Sequence, residues 1–116
     1  MPSSVHSRDA KAAAESVVER LYLSVRHLAT AKGDVRSRLV GVGVTLAPLQ
    51  EGEFPEALRS DYRWIMNQMT RYEPLYGEGR IEATMNKIQN TTGEKIAQRV
   101  FEMYSTVQQI RGNPLV

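Results

Sequence analysis

The residues of this sequence that could carry acid–base or metal chemistry are two histidines and thirteen carboxylates. His6 stands near the amino terminus and His27 lies in the first amphipathic segment, so they are far apart in sequence. The carboxylates lie outside the apolar stripes described below, and the Glu-x-x-His and His-Glu-x-x-His spacings of metal-binding helices are absent. The sequence has no cysteine, which excludes thiol nucleophiles and zinc–thiolate sites. We therefore expect no catalytic residue, metal or other cofactor, and interpret the protein as a non-enzyme.

One pattern joins an arginine and a histidine on a single helix. Arg20 and His27 are separated by six residues, which places them nearly two turns apart on the same side of a helix, where both could contact a phosphate. This spacing resembles the arginine-to-histidine motif of the HEPN family of small helical bundles, many of which are RNases. The resemblance covers these two residues, and Leu21 follows the arginine where many members of the family have a polar residue. It implies RNase activity carried by Arg20 and His27; the alternative is that both are surface residues.

Five arginines are candidates for binding an anion or a partner: Arg36, Arg38, Arg59, Arg63 and Arg71. The first two fall in the first turn of a predicted helix, whose free amide groups favour an anion, although Asp34 competes for the same amides. The last three share the polar side of another predicted helix, where Arg59 and Arg63 repel each other one turn apart. A guanidinium matches the geometry of phosphate, so these residues could form a nucleic-acid surface, but ordinary solvated side chains are the favoured interpretation.

Three aromatic residues are candidates for contacting a partner. Trp64 flanks the apolar stripe of its predicted helix, so it either anchors a second subunit or widens the core. Tyr72 and Tyr76 lie in the loop that follows, between arginines. They either stack on bases or a peptide, or close the end of the bundle with their rings.

Composition bounds the class of protein. The chain has 116 residues, of which 24% are charged, and a net charge of +2, as is ordinary for one globular domain. The first residues lack the apolar run of a signal peptide, and the least polar stretch, residues 39–49, is far shorter than the roughly 20 residues of a membrane span. We expect a cytoplasmic protein without a membrane span, whose small positive charge permits contact with nucleic acid.

Apolar residues at three- and four-residue intervals predict an all-α, up-and-down bundle of four long helices and one short helix. A single domain is expected over residues 8–112, between a flexible tail of residues 1–7 and a tail of residues 113–116. The first helix begins near Arg8, after Ser7 as its cap, and ends at Gly33. Its predicted buried stripe is Ala14, Val18, Leu21, Val25 and Leu28.

The later helices follow from the same spacing and from their end signals. The third begins at Pro55, the short fourth covers residues 80–89, and the fifth follows a capping box of Thr91 and Glu94 and stops at Gly112. The third helix is expected to bury Phe54, Leu58, Tyr62, Ile65 and Met69. The fifth is expected to bury Ile96, Val100, Met103, Val107 and Ile110.

The second predicted helix, capped by Asp34 and ending near Ala47, leaves an alternative open. Val35, Leu39, Val42 and Leu46 have helical spacing, but within residues 39–46 apolar residues also alternate with glycine and threonine, as in a strand. A helix is favoured because a lone strand would leave its backbone groups unpaired. Such a helix is apolar nearly all round and should lie centrally, with its glycines allowing a neighbour to approach closely.

The sequence as a whole favours a non-enzymatic helical interaction module that self-associates. Its apolar surplus on the second and third helices would be covered by a second copy, as in a homodimer, or by a protein partner. The first alternative is a nucleic-acid-binding protein that uses the five arginines, and the second is a HEPN-type RNase.

Overall fold

The computed structural model describes the backbone of residues 2–110 and the side chains of residues 14–110. It contains five α-helices: α1 Pro2–Thr30, α2 Val35–Leu46, α3 Glu56–Met69, α4 Arg80–Met85 and α5 Asn90–Ile110. A short 3-10 turn, Glu51–Glu53, precedes α3, and the described residues form no strand. The predicted all-α fold, with four longer helices and one short helix, is confirmed.

Helix α1 begins earlier than the sequence indicated. It starts at Pro2 instead of near Arg8, so Ser7 lies inside the helix and is not its cap. Proline suits the first turn of a helix because the amide that it lacks would have no intrahelical partner there. Residues 2–7 therefore continue α1 instead of forming a separate tail. The predicted stop at Gly112 and the tail of residues 113–116 lie outside the described residues.

The core-facing side of α1 is rotated relative to the predicted stripe. Val17, Leu21 and Ser24 are fully buried, whereas Val25 and Leu28 are only partly buried. The rotation arises because α1 packs against both α2 and α5. Some of its apolar residues therefore face the core, and the others lie on a second side of the helix that faces outward. The spacing of the stripe was right, but its centre was misplaced.

Residues 35–46 form a helix, as favoured, and not a strand. Gly33 ends the preceding turn with φ of 94°, and Asp34 caps α2 by accepting a hydrogen bond from the amide of Ser37 at 3.0 Å. Gly41 leaves room for the imidazole of His27 on α1. Gly43 is buried, and a Cβ atom there would lie 2.8 Å from Ile81 Cγ2. Close approach at the glycines is confirmed.

Helix α2 is less central than expected, because one side of it faces solvent. Leu39, Val42 and Leu46 are fully buried, but Val44 is 63% exposed. The helix ends at Leu46 with Ala47 as its C-terminal cap, whose amide donates to the carbonyl of Gly43.

Helix α3 buries the stripe predicted for it. Phe54, just before the helix, and four residues on it are buried: Leu58, Tyr62, Ile65 and Met69. The Phe54 and Tyr62 rings stack with their centroids 4.3 Å apart. The predicted loop between α3 and α4 is also present, over residues 70–79.

The junction between α4 and α5 differs from the prediction. Helix α4 ends at Met85, and α5 begins at Asn90, where the amide of Gly93 donates to the carbonyl of Gln89. Thr91 therefore lies inside the first turn of α5 and Glu94 just after that turn, so the capping box predicted there is wrong. Ile110 is also wrong as a core residue, since it is 51% exposed. The other four predicted core residues of α5 are buried.

Candidate functional site

Four of the five candidate arginines make hydrogen bonds to this chain. Arg36 donates to the carbonyl of Ile88 at 3.0 Å and pairs with Asp34, and Arg38 donates to the carbonyl of Leu28 at 2.6 Å. The other two contact the turn before α3. Arg59 donates to the carbonyls of Phe54 and Gly52, and Arg63 pairs with Glu51 at 2.7 Å. These bonds orient the guanidinium groups toward the chain itself.

The same arginines make their contacts near the two ends of α2. Arg36 and Arg38 lie in the first turn of α2, while Arg59 and Arg63 contact residues 51–54, which follow the other end of α2. The twelve residues of α2 make the helix about 18 Å long. These contacts divide the four arginines into two pairs instead of directing them to one shared phosphate site.

The loop between α3 and α4 holds the remaining arginine and both candidate tyrosines. The ring of Tyr72 has the Arg71 guanidinium 5.9 Å and the Lys87 ammonium 5.3 Å from its centroid. Its amide donates to Thr84 Oγ1, and Tyr72 packs against the core as a partly buried residue. Tyr76 is 90% exposed at the tip of the loop.

Charges around this loop cancel. The cations are Arg71, Arg80 and Lys87, and the anions are Glu73, Glu78 and Glu82. Arg80 pairs with Glu73 and donates to the carbonyl of Thr70. An aromatic platform for nucleic acid needs a surrounding positive field, which this loop lacks.

Trp64 packs against the core as a partly buried residue. The guanidinium of Arg99 lies over its ring, 4.4 Å from the centroid, and also donates to Asp61 at 2.9 Å. The arginine therefore covers the outer side of the indole, an arrangement that fits the widened core better than an open anchor.

Arg20 and His27 both face α2. Arg20 donates to the carbonyl of Thr45 at 2.8 Å, near the C-terminal end of α2, where a cation is favourable. The His27 ring fills the space beside Gly41. Each side chain thus has a role in packing α1 on α2, and the shallow depression next to His27 is lined mainly by Leu23, Arg26, Thr30 and Thr45.

The groups with displaced pKa values also belong to the scaffold. The amide of Ser37 and the Arg36 guanidinium lower the pKa of Asp34, and a hydrogen bond from Arg63 lowers the pKa of Glu51. The amide of Tyr76 lowers the pKa of Glu78. Burial raises the pKa of Tyr62. None of these groups lies beside a second polar group in a buried pocket.

A further concave surface lies between α1, α2 and α5. It has a volume of about 760 Å³, and its apolar lining includes Val25, Leu28, Val35, Ala97 and Phe101. A second depression, of about 420 Å³, lies further along α1 and α5. The centroids of the Tyr22 and Tyr104 rings lie 6.3 Å apart there. We call these two depressions together the α1–α5 groove.

The groove follows a second stripe on each helix, next to the stripe that faces the core. On α1 the stripe is Glu15, Val18, Tyr22, Val25 and Ala29. On α5 it is Asn90, Glu94, Ala97, Phe101, Tyr104 and Gln108. Both series alternate intervals of three and four residues, which keeps each on one side of its helix. Their middle positions are apolar, and their ends are polar except for Ala29 on α1.

The groove was missed at the sequence level although its signal is present. The positions of the α5 stripe can be read from the sequence, but one apolar stripe per helix was already assigned to the core. Phe101 is 53% and Tyr22 is 47% exposed, so neither ring is covered by the chain itself. The apolar surplus therefore lies mainly on α1 and α5, not on the second and third helices as expected.

Across the residues whose side chains are described, no group of three or more histidine, aspartate and glutamate side chains is arranged to hold a metal ion. None of the described helices combines the length and the apolar character needed to cross a membrane. No protein-family model matches this chain, and neither a curated protein nor a solved structure matches it significantly.

Proposed function

We propose that this chain is a non-enzymatic interaction module that binds an α-helix of a protein partner in the α1–α5 groove. The observation that supports the proposal is the groove itself, in which Phe101 and Tyr22 are half exposed beside partly buried Val25 and Leu28. Large aromatic residues in an apolar depression are typical of protein-binding surfaces. Self-association, which the sequence favoured, is one form of this function.

A helix is the occupant that fits the groove best. Two neighbouring stripes with alternating intervals of three and four residues are what a third helix packs against in a bundle. From Glu94 to Gln108 the α5 stripe is about 21 Å long, which corresponds to about four turns of a partner helix. Docking of an amphipathic helix into an apolar groove is an established mode of recognition.

The non-enzymatic part of the proposal is supported by the placement of polar groups. Within residues 14–110 the buried polar side chains are Ser24 and Thr84. Ser24 donates to the carbonyl of Arg20, and Thr84 accepts from the amide of Tyr72. Acid–base catalysis needs a titratable group placed beside a reacting group, and these two hydroxyls are used in the fold instead. The cytoplasmic location expected from the sequence completes the proposal.

A model peptide tests the groove directly. The peptide is a helix of about four turns with leucine at the buried positions and glutamine elsewhere, labelled for fluorescence anisotropy. We expect Phe101→Ser to weaken its binding by at least about tenfold, because an aromatic residue at the centre of an interface dominates affinity. Circular dichroism confirms that the variant remains folded.

Ile110→Ser provides the matched control. Ile110 also lies on α5 and is 51% exposed, close to the 53% of Phe101, but it does not line the groove. Ile110→Ser should bind the peptide like the original chain. Equal affinity of the Phe101→Ser and Ile110→Ser variants, or no binding by any form, would show that the groove is not a helix-binding surface.

A further inference from the structure

The edges of the α1–α5 groove carry mostly negative charge. Among the residues whose side chains are described, those that line its two depressions and carry a charge are one cation, Arg38, and four carboxylates, Glu15, Glu19, Asp34 and Glu94. Four negative charges and one positive charge give −3. The chain as a whole has a net charge of +2, so the other residues carry +5. The groove is therefore an acidic surface on a basic protein.

The one cation among the described lining residues of the groove is held by hydrogen bonds to the chain. Arg38 Nη1 donates to the carbonyl of Leu28 at 2.6 Å, and its Nε donates to the carbonyl of Asp34. Arg26 lies on the neighbouring side of α1, where it lines the separate depression with His27. With Arg26 and with Arg36, the ion-pair partner of Asp34, included, the sum of four negative and three positive charges leaves −1. Among the described residues, the unpaired negative charge of the edge lies mainly with Glu15 and Glu19.

The carboxylates are distributed along the groove at positions that flank a bound helix. Glu15 and Glu19 are exposed on α1 at one end, while Glu94 and Asp34 are exposed on α5 and before α2 at the other end. The apolar middle, with Tyr22, lies between them. An occupant with apolar residues toward the groove would thus bring its flanking side chains near carboxylates at both ends.

We propose, resting on the function above, that the partner is a basic amphipathic helix of another protein, with lysine or arginine on both sides of its apolar stripe. Opposite charges across the edge favour this occupant and speed its association. A second copy of this chain that used the same groove in a two-fold pair would face its own surface, and so place carboxylates opposite carboxylates. Charge complementarity therefore selects a different protein over a homodimer at this site.

Three peptides with the same leucine stripe test the inference. Their flanking positions are all lysine, all glutamine or all glutamate, and binding is followed by fluorescence anisotropy at low and high salt. We expect the lysine peptide to bind at least about tenfold more tightly than the glutamate peptide at low salt, with the glutamine peptide between them. Added salt should narrow the difference because it screens exposed charges.

Matched variants locate the charge effect. The double variant Glu15→Gln, Glu19→Gln should bind the lysine peptide more weakly than the original chain does. Its affinity for the glutamine peptide should be unchanged. Glu56→Gln with Glu82→Gln changes the net charge equally at exposed sites that do not line the groove, and should leave both unchanged. Equal weakening by the two double variants would overturn the inference, since it would reflect net charge alone.

The failures of the two proposals are distinguishable. If all three peptides bind equally and Phe101→Ser weakens each, the groove binds helices but does not select basic ones. If Phe101→Ser leaves binding of the glutamine peptide intact, the groove function itself is wrong. Sedimentation of the chain alone that shows a dimer, dissociated by Phe101→Ser but not by Ile110→Ser, would instead establish a second copy as the occupant and overturn the basic-helix proposal.

Discussion

Tyr62 is a buried residue of α3 whose hydroxyl group lies beside the C-terminal end of α2. The oxygen is 2.9 Å from the carbonyl of Leu46 and 2.6 Å from that of Leu49. The last carbonyls of a helix have no partner within it. The carbonyl of Leu46 accepts from the amide of Leu49 at 3.0 Å, and the Tyr62 hydroxyl adds a side-chain donor to the same turn. Its ring stacks on Phe54, which fixes its position.

We expect Tyr62→Phe to lower the free energy of unfolding by about 1–2 kcal/mol, because buried carbonyls lose a donor while the ring is retained. Urea unfolding measures the change. Tyr76→Phe is the control, since Tyr76 is 90% exposed and should show no effect. Equal stability of Tyr62→Phe and the original chain would mean that the hydroxyl does not stabilise the junction.

The same residue predicts a pH dependence at alkaline pH. Burial raises the pKa of Tyr62 above its ordinary value of 10.0, so the folded state holds the proton more tightly than the unfolded state. The stability from this proton is complete below that value and is lost as the pH rises through the folded-state pKa. Absorbance titration should show one late-ionising tyrosine that disappears in Tyr62→Phe.

At the scale of elements, the fit of α2 to its neighbours depends on glycines. Gly43 is buried, and a Cβ atom there would lie 2.8 Å from Ile81 Cγ2 and 2.9 Å from Met69 Cε. Two elements thus approach the backbone of α2 at this point. The missing side chain of glycine lets α2 pack closely against its neighbours, although glycine has a low intrinsic helix propensity.

We expect Gly43→Val to destabilise the fold by about 2 kcal/mol, because the added side chain overfills the contact and valine gains little helix propensity in return. Thermal or urea unfolding measures this. Gly52→Ala is the control, since nothing lies within 4 Å of the Cβ that it would add. A Gly43→Val variant as stable as Gly52→Ala would show that the space beside Gly43 is larger than described.

For the whole molecule, three carboxylates near the surface contribute to stability at acid pH. The pKa values of Asp34, Glu51 and Glu78 are lowered by hydrogen bonds to their charged forms, from backbone amides for Asp34 and Glu78 and from Arg63 for Glu51. Each contributes stability that is present above its ordinary pKa and is lost as the pH falls through its folded-state pKa. Because Asp34 is exposed and the other two are only partly buried, salt should weaken the contribution.

We expect Glu51→Gln to be less stable than the original chain near about pH 7, and the difference to disappear as the pH falls through the folded-state pKa of Glu51, which the Arg63 hydrogen bond holds below its ordinary value. Urea midpoints from neutral to acid pH measure the difference. Glu56→Gln should behave like the original chain throughout, since Glu56 makes no ion pair among the described residues. A difference for Glu51→Gln that persists at low pH would mean that the Arg63 pair is not its source.

The sequence by itself determined the helical class, most of the core and the main helix boundaries. Intervals of three and four residues located the buried residues of α3, and Gly33 with Asp34 located the start of α2, because these signals are local. The extended start of α1 and the junction before α5 were missed, since several residues there can begin a helix equally well.

Only the tertiary structure decided which side of each helix is covered. Phe101 and Val100 are neighbours in the sequence, yet one is half exposed and the other fully buried. The hydrogen-bond partners of two arginines also depend on how the backbone folds back on itself. Arg59 donates to carbonyls five and seven residues away, and Arg38 donates to the carbonyl of Leu28. A helix with two apolar stripes is compatible with two packings, and the contacts of α1 with α2 and α5 select between them. That selection left the groove open and acidic.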